Sequence, residues 1–219
     1  MRREAGVAVW VGPKSEIKSS TLRKERERWA TRTDMAALAA LRRARLSARL
    51  RMGMDITWLD GTGDPRTDRI AVGAAIWNSS DRMMELKNAG VTHIINMQIE
   101  CDDTELAEEH GIEVSWNPTD DDFELKPAEL FAPGVEFALA ALERADAKVF
   151  IHCAAGVHRA PMMALAVLGA MGMDLEKAME LIEMKRPVAD FADVYVQSVE
   201  RFLSGRRTGG GRPSSWPVK

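Results

Sequence analysis

Cysteine is scarce in this chain: two occur among 219 residues, Cys101 and Cys153. Two thiols cannot build the disulfide framework that holds small secreted domains together, and thiols that have to stay reduced indicate a reducing compartment. No run of about 18 uninterrupted apolar residues is present, and the arginine-rich start lacks the apolar segment of a signal peptide. The sequence therefore predicts a soluble intracellular protein without a transmembrane segment, and we expect it in the cytoplasm.

The net charge of −3 conceals an uneven distribution along the chain. Residues 1–51 hold 14 Lys and Arg against 5 Asp and Glu, which leaves 16 of the 30 basic and 28 of the 33 acidic residues for the remainder. A basic arm beside an acidic domain suits an anionic partner such as nucleic acid, anionic lipid or the domain itself, although no specific nucleic-acid motif is present. A solvated extension without a partner is the alternative.

The spacing of apolar residues divides the chain into three parts. Residues 1–54 form the basic N-terminal extension, which we expect to be partly disordered with a helix over 34–51. Residues 205–219 contain Gly-Gly-Gly and two prolines, and we expect a flexible tail there. Residues 55–204 lie between them and are long enough for one domain with a core of its own.

Short apolar segments alternate with amphipathic ones in this domain. The predicted strands are 56–59, 69–73, 92–97, 113–116 and 149–153, and the predicted helices are 80–88, 104–110, 127–147, 160–171, 175–185 and 191–203. Strands that alternate with helices indicate an α/β fold with a mostly parallel central sheet and helices on both faces. Such folds place their ligands at the carboxyl ends of the strands.

One stretch, residues 148–161, carries most of the functional signal. It reads K-V-F-I-H-C-A-A-G-V-H-R-A-P, a buried strand that enters a small-residue loop and then opens a helix. The N–H groups of such a loop and of the helix N-terminus favour a bound anion such as phosphate. Cys153 stands at the end of the strand, where the helix N-terminus and Arg159 would stabilise its thiolate. The planar fork of Arg159 can return across the loop and bind two phosphate oxygens.

This Cys-x5-Arg stretch, preceded by His152 and containing Gly156, resembles the signature of the cysteine-dependent protein-tyrosine phosphatase superfamily. The Ala-Gly-Val pattern within it is most similar to the dual-specificity branch, and the resemblance spans residues 55–204. It implies a protein-tyrosine-phosphatase-like fold with Cys153 and Arg159 as catalytic residues. The phosphate would be bound by the loop residues Ala154, Ala155, Gly156, Val157, His158 and Arg159. His152 would support the loop by hydrogen bonding, and no metal or other cofactor is required.

Breaking a phosphomonoester needs an acid that protonates the leaving oxygen. The resemblance places this acid on a loop upstream of the cysteine, which here is the acidic segment 117–123. Alignment of the following helix selects Asp121, while Asp120 and Asp122 remain alternatives. We therefore expect a two-step reaction through a cysteinyl-phosphate, in which Asp121 acts first as acid and then as base.

Two residues in or next to the Cys-x5-Arg stretch, Ala160 and His158, are unusual for this superfamily. Ala160 stands where the family usually has Ser or Thr, whose hydroxyl helps the thiolate leave, so we expect a slow second step. The resulting Arg-Ala-Pro also resembles plant glucan phosphatases and the phosphatases of regenerating liver. His158 occupies a variable loop position; it is either merely tolerated at the rim or, as an imidazolium, favours polyanionic substrates.

The substrate is less well defined than the reaction. Phosphotyrosine, phosphoserine or phosphothreonine in proteins is the first expectation, and a non-protein phosphomonoester such as phosphoglucan or phosphoinositide is the alternative. Trp116 and Phe123 flank the acidic loop and could stack on a sugar ring, although core packing is the first expectation for Trp116. A non-catalytic phosphate-binding protein is the remaining possibility.

Overall fold

The computed structural model describes residues 53–208, with side chains to residue 206. The predicted basic arm with its helix over 34–51, and the end of the chain from residue 209, lie outside the described residues.

The core of the domain is a five-stranded sheet in the order β1-β2-β5-β3-β4. The strands are β1 (Ile56–Trp58), β2 (Ile70–Gly73), β3 (His93–Gln98), β4 (Glu113–Thr119) and β5 (Val149–His152). All neighbouring pairs are parallel except β1 and β2, which pair antiparallel at the edge. Every residue of β2, β3 and β5 is buried, as expected for parallel strands that are covered on both faces. The predicted α/β fold class is therefore confirmed.

Six α-helices are described, and they cover both faces of the sheet. They are α1 (Ser80–Asn88), α2 (Thr104–Glu109), α3 (Ala128–Leu142), α4 (Arg159–Ala170), α5 (Leu175–Lys185) and α6 (Asp193–Thr208), and a short 3-10 helix spans Thr67–Arg69. Side chains of α1 and α2 pack with Ala71, Ile94 and Phe150 on one face. The other four helices pack with Ile70, Val72, Ile95 and Ile151 on the opposite face. The alternation of these strand residues follows from the two-residue period of a β-strand.

Three elements end three or more residues away from their predicted ends, and two of these differences have a visible cause. Helix α3 ends at Leu142 instead of 147. The Arg69 guanidinium donates hydrogen bonds to the carbonyl oxygens of Leu142 at 2.9 Å and Ala147 at 3.0 Å, so these carbonyls are bonded to a side chain and not to the amides of a further helical turn. Strand β4 continues to Thr119 because its pairing with β3 resumes beyond an irregularity between Asn96 and Gln98. Helix α6 runs past its predicted end at 203.

Among residues 53–208, no helix has the length and apolar character needed to span a membrane.

Candidate active site

The cysteine loop connects the carboxyl end of the central strand β5 to the start of α4, as predicted. Cys153 follows the last residue of β5 and is only 2% exposed. Its sulfur accepts a hydrogen bond from the Gly156 N–H at 3.2 Å. An inward-facing amide that contacts the sulfur is the arrangement that stabilises a thiolate.

The carbonyl groups of residues 154–157 are turned away from the inside of the loop. The Ala154 carbonyl accepts a hydrogen bond from the Ala75 N–H at 3.4 Å, and the Val157 carbonyl accepts one from the Asp190 N–H at 2.9 Å. The two between them accept from Arg186, at 3.2 Å for Ala155 and 2.7 Å for Gly156. Because a trans peptide holds its N–H opposite its C=O, the N–H groups of the same peptides face the inside. The loop is therefore shaped to surround an oxyanion with amides.

Gly156 is required by both its backbone and its surroundings. Its φ of 67° lies in the left-handed region that favours glycine, and an added Cβ would lie 2.6 Å from the Gly73 carbonyl oxygen. The loop crosses the end of β2 so closely that no side chain fits there.

Arg186 follows the last residue of α5 and ties the loop to the first strand of the domain. The residue is only 2% exposed, and its guanidinium forms two hydrogen bonds of 2.8 Å with the Asp55 carboxylate and one of 3.1 Å with Thr57. The hydrogen bonds from Arg186 lower the pKa of Asp55 below its usual value. Arg186 therefore joins β1 and the cysteine loop through one side chain.

Arg159 is the first residue of α4, and its side chain is buried beneath the loop at 3% exposure. Its two terminal nitrogens each lie 2.9 Å from an oxygen of Glu100, and one also donates to the Thr119 carbonyl at 3.0 Å. The hydrogen bond from Arg159 lowers the pKa of Glu100. Burial opposes the charge of Arg159, but Glu100 and the nearby Cys153 outweigh it, so its pKa is raised.

The Nε atom of Arg159 is buried and has no hydrogen-bond partner among the described residues. Buried donors are rarely left without a partner, so this N–H is available for an acceptor that enters the loop. Glu100 thus orients the guanidinium from one side and leaves this edge for an oxyanion.

The acidic loop brings Asp121 to the cysteine loop. One carboxylate oxygen accepts from the Tyr195 hydroxyl at 3.0 Å, and the other lies 3.0 Å from Nδ1 of His158. The Tyr195 hydroxyl in turn accepts from the Phe123 N–H at 3.0 Å. Burial, together with the hydrogen bond to Asp121, raises the pKa of Tyr195 to about 12, so the phenol keeps its proton.

The two alternative aspartates have other surroundings. Asp122 forms an ion pair with Lys126, which lowers the pKa of Asp122. Asp120 is exposed to solvent. Of the three neighbours, Asp121 is the one that contacts a residue of the cysteine loop.

One sequence-based expectation for the rim was wrong, and neither role expected for His158 included the contacts that it makes. In addition to its contact with Asp121, the Nε2 of His158 lies 3.3 Å from the Asp190 carboxylate. Trp116 is 44% exposed on the edge strand β4 and donates its indole N–H to the Gln98 carbonyl at 2.7 Å, so it is not a core residue. Phe123 is also exposed, and its ring contacts the rings of His158 and Tyr195 at centroid distances of 5.0 and 5.7 Å.

His152 lies fully buried behind the cysteine. Its Nε2 is 3.4 Å from a carboxylate oxygen of Asp103, but neither ring nitrogen makes a hydrogen bond within the described residues. The ring stacks on Phe150 at 5.4 Å, so packing holds it where we expected a hydrogen bond. Burial lowers the pKa of His152 to about 3 and raises that of Asp103 to about 6. His152 is therefore neutral at physiological pH.

Four residues of the site were not predicted from the sequence: Glu100, Arg186, Asp190 and Tyr195. Glu100 stands just beyond β3, beside the central strand, so its position in a parallel sheet was a usable signal. Tyr195 is the single tyrosine of the chain. Nothing in the local pattern distinguishes Arg186 or Asp190 from surface residues. No group of His, Cys, Asp or Glu within residues 53–208 is arranged to hold a metal ion.

Comparison with known proteins supports the fold and identifies a family. The family model "Dual specificity phosphatase, catalytic domain" matches residues 76–201. Among solved structures, PTPMT1 in complex with PI(5)P is 20% identical with a TM-score of 0.59, covering 71% of this chain and 99% of that one. Human DUSP28 is 20% identical with a TM-score of 0.55 and covers 65% of this chain and 96% of that one. Identities this low support the fold alone, and the family match supports the predicted resemblance.

Proposed function

The chain belongs to the dual specificity phosphatase family, and we propose that it hydrolyses phosphomonoesters through a cysteinyl-phosphate, with phosphotyrosine, phosphoserine or phosphothreonine in proteins as substrate. The observation that carries the proposal is the loop around Cys153, whose carbonyls turn outward while the buried Nε of Arg159 lacks a partner among the described residues. A ring of amides with one unused guanidinium edge suits the oxygens of a phosphoryl group.

In the first step, the Cys153 thiolate attacks phosphorus in line, and the bond to the leaving oxygen breaks. Asp121 transfers its proton to that oxygen, so the product departs as an alcohol and Asp121 is left as a carboxylate. The amides of residues 154–159 and the Arg159 guanidinium hold the three remaining oxygens. Their orientation is set in advance by Arg186 and Glu100, so little reorganisation is needed during the reaction.

In the second step, Asp121 takes a proton from a water molecule that attacks the cysteinyl-phosphate. The phosphorus–sulfur bond breaks, and the thiolate and inorganic phosphate are released. Ala160, which follows Arg159 in α4, is fully buried and has no hydroxyl to assist the departing sulfur. This step is therefore the slower one.

A non-protein substrate is the second candidate, and one observation favours it. The exposed rings of Trp116 and Phe123 lie on β4 and on the acidic loop, where they are free to stack on a planar or cyclic group. PTPMT1, which shares the fold, was solved in complex with PI(5)P. A polyanionic substrate is disfavoured because the carboxylates of Glu100, Asp121 and Asp190 lie around the site and would repel its charges. We therefore rank phosphoprotein first.

The test is a substrate panel of para-nitrophenyl phosphate, phosphopeptides, amylopectin and phosphoinositides with the full chain. Wild type should turn over para-nitrophenyl phosphate, and Cys153→Ser should lose turnover while still binding tungstate. On phosphopeptides, whose leaving oxygen needs a proton, Asp121→Asn should lower kcat by roughly 100-fold or more, the usual contribution of a general acid, while the exposed neighbour Asp120→Asn stays near wild type. Tungstate binding without turnover in wild type would instead favour the non-catalytic alternative.

The cytoplasmic location and an anionic partner for residues 1–51 are also proposals. They are supported by the two cysteines and by the basic composition of that segment. Cell fractionation tests the first. Salt-sensitive binding to anionic vesicles or nucleic acid, lost on deletion of residues 1–51, tests the second.

A further inference from the structure

We infer that His158 is a positioning residue, which fastens the general acid Asp121 to the phosphate-binding loop and is itself oriented by Asp190. The inference rests on the proposed function, because it assumes that Asp121 delivers the proton. In the loop, backbone amides are enough to bind phosphate, so the side chain at position 158 is not needed for that purpose. Its contacts indicate a different role.

The two ring nitrogens of His158 face two carboxylates from different parts of the chain. Nδ1 lies 3.0 Å from Asp121, 37 positions upstream, and Nε2 lies 3.3 Å from Asp190, 32 positions downstream. An imidazole that is hydrogen-bonded at both nitrogens has its ring orientation determined, in the way that an outer partner orients a catalytic or metal-binding histidine. The acidic loop is thereby linked to the loop that holds the phosphate.

The surroundings of His158 keep this link in place. Phe123, two residues after Asp121, contacts the imidazole edge-on at 5.0 Å, and Tyr195 donates to the other oxygen of Asp121. The Asp190 backbone N–H also binds the Val157 carbonyl at 2.9 Å, so this anchor is part of the loop's own support. Asp121 is therefore held from two sides, by α6 through Tyr195 and by the cysteine loop through His158.

Position matters more for the acid than for phosphate binding. A general acid has to reach the leaving oxygen within hydrogen-bond distance, and a displacement of about 1 Å can cost a large factor in rate. Loss of His158 should leave the amides and Arg159 unchanged but let the acidic loop move. The defect should then grow with the basicity of the leaving group, because a good leaving group departs without a proton.

Three variants at position 158 separate this role from a purely structural one. His158→Leu removes both contacts and His158→Gln retains a polar atom near Nε2, whereas His158→Asn retains an amide where Nδ1 lies. For phenyl phosphate we expect kcat/KM, which reports the first step and not the slower second one, to fall about tenfold or more in the Leu and Gln variants and to recover in the Asn variant. For para-nitrophenyl phosphate, which has a better leaving group, the loss should be several times smaller. Tungstate affinity should change by less than about twofold, which also shows that the variants are folded.

Asp190→Asn should show a smaller loss of the same kind, and Asp193→Asn is its matched control. Asp193 is an exposed aspartate nearby in the first turn of α6, so its substitution removes the same charge without a contact to His158. In an Asp121→Asn background, His158→Leu should have no further effect on phenyl phosphate, since the group that it positions is already lost.

The outcomes are distinct. If wild type is active but His158→Leu loses the same factor of activity on both substrates, the inference is wrong and the phosphatase proposal stands. The same holds if this variant loses tungstate binding. Additive losses in the double variant also overturn the inference. A wild type without activity on any phosphomonoester overturns the proposed function and the positioning role together. A steeper leaving-group dependence that His158→Asn reverses supports the inference.

Discussion

Replacement of Arg186 by methionine provides a sharp test of how the cysteine loop is held. Methionine keeps an apolar stem of similar length but removes the charge and all five N–H donors. The side chain is buried and donates to Ala155, Gly156, Asp55 and Thr57. The variant therefore detaches the loop from β1 without changing any residue that we propose to contact the phosphate.

The magnitude follows from which partners stay buried. The Asp55 side chain is 54% exposed, so water solvates it once its partner is gone, and the penalty of about 3–5 kcal/mol for a stranded buried charge does not apply in full. The carbonyls of Ala155 and Gly156 each lose a charge-assisted hydrogen bond, and such a bond contributes about 1.5–3 kcal/mol when its loss is not compensated by water. We expect a loss of about 2–4 kcal/mol in the free energy of unfolding. Tungstate affinity should fall by roughly tenfold or more, because the amides are no longer oriented in advance.

Urea unfolding followed by circular dichroism measures the first quantity, and tungstate titration measures the second. Lys185→Met is the matched control, since it removes a neighbouring cation whose ion pair with Asp60 is solvent-exposed. Such an exposed pair contributes little to stability, and this variant should bind tungstate as wild type does. An Arg186→Met protein with wild-type oxyanion affinity would refute the argument that this side chain shapes the loop.

Three further predictions concern neighbouring residues. Ala160→Ser should supply the missing hydroxyl and shorten the lifetime of the phosphoenzyme. Wild type should show a burst of product equal to enzyme before a slow steady state. A burst that the substitution leaves unchanged would contradict this. Glu100→Gln should weaken the fork that orients Arg159 and raise the dissociation constant for tungstate by about tenfold, as one charge-assisted hydrogen bond is lost; an unchanged constant would show that Glu100 is dispensable. For His152, the folded pKa of about 3 lies below the unfolded value near 6.5, so the folded state resists protonation and stability is lost as pH falls below 6.5. In His152→Gln this loss of stability at acid pH should disappear. Asp103, whose pKa is raised to about 6, has the opposite effect on stability between about pH 4 and 6 in both proteins. The measurement is therefore the difference between the free energies of unfolding of wild type and His152→Gln, obtained by urea unfolding across this pH range.

The parts of the site that lie close together along the chain could be predicted. Cys153, Gly156 and Arg159 belong to one strand–loop–helix unit, and the structure brings them together as the pattern indicates. Asp121 could be placed only through the family resemblance, because three adjacent aspartates look alike in sequence. The structure separates them by their partners, Lys126 for Asp122 and the cysteine loop for Asp121.

The differences between expectation and structure at the rim have a common cause. Trp116 was expected in the core because large aromatic residues on strands are usually buried, but β4 is an edge strand and leaves one face of that residue to solvent. His158 was expected to be merely tolerated at the rim or, as an imidazolium, to favour polyanionic substrates, because neither of its partners is near it in sequence. Exposure and pairing of this kind depend on strand order, which residue periodicity does not encode.

The sequence by itself determined the chemistry of the loop, because a thiol, a turn that only glycine permits and an arginine at the start of a helix all lie within seven consecutive residues. The tertiary structure decided how those groups are oriented. Glu100 reaches Arg159 across 59 positions and Tyr195 reaches Asp121 across 74. The first contact exists because β5 lies beside β3, which brings the loops at their carboxyl ends to one edge of the sheet. The second exists because α6, which carries Tyr195, packs against α3 and α4.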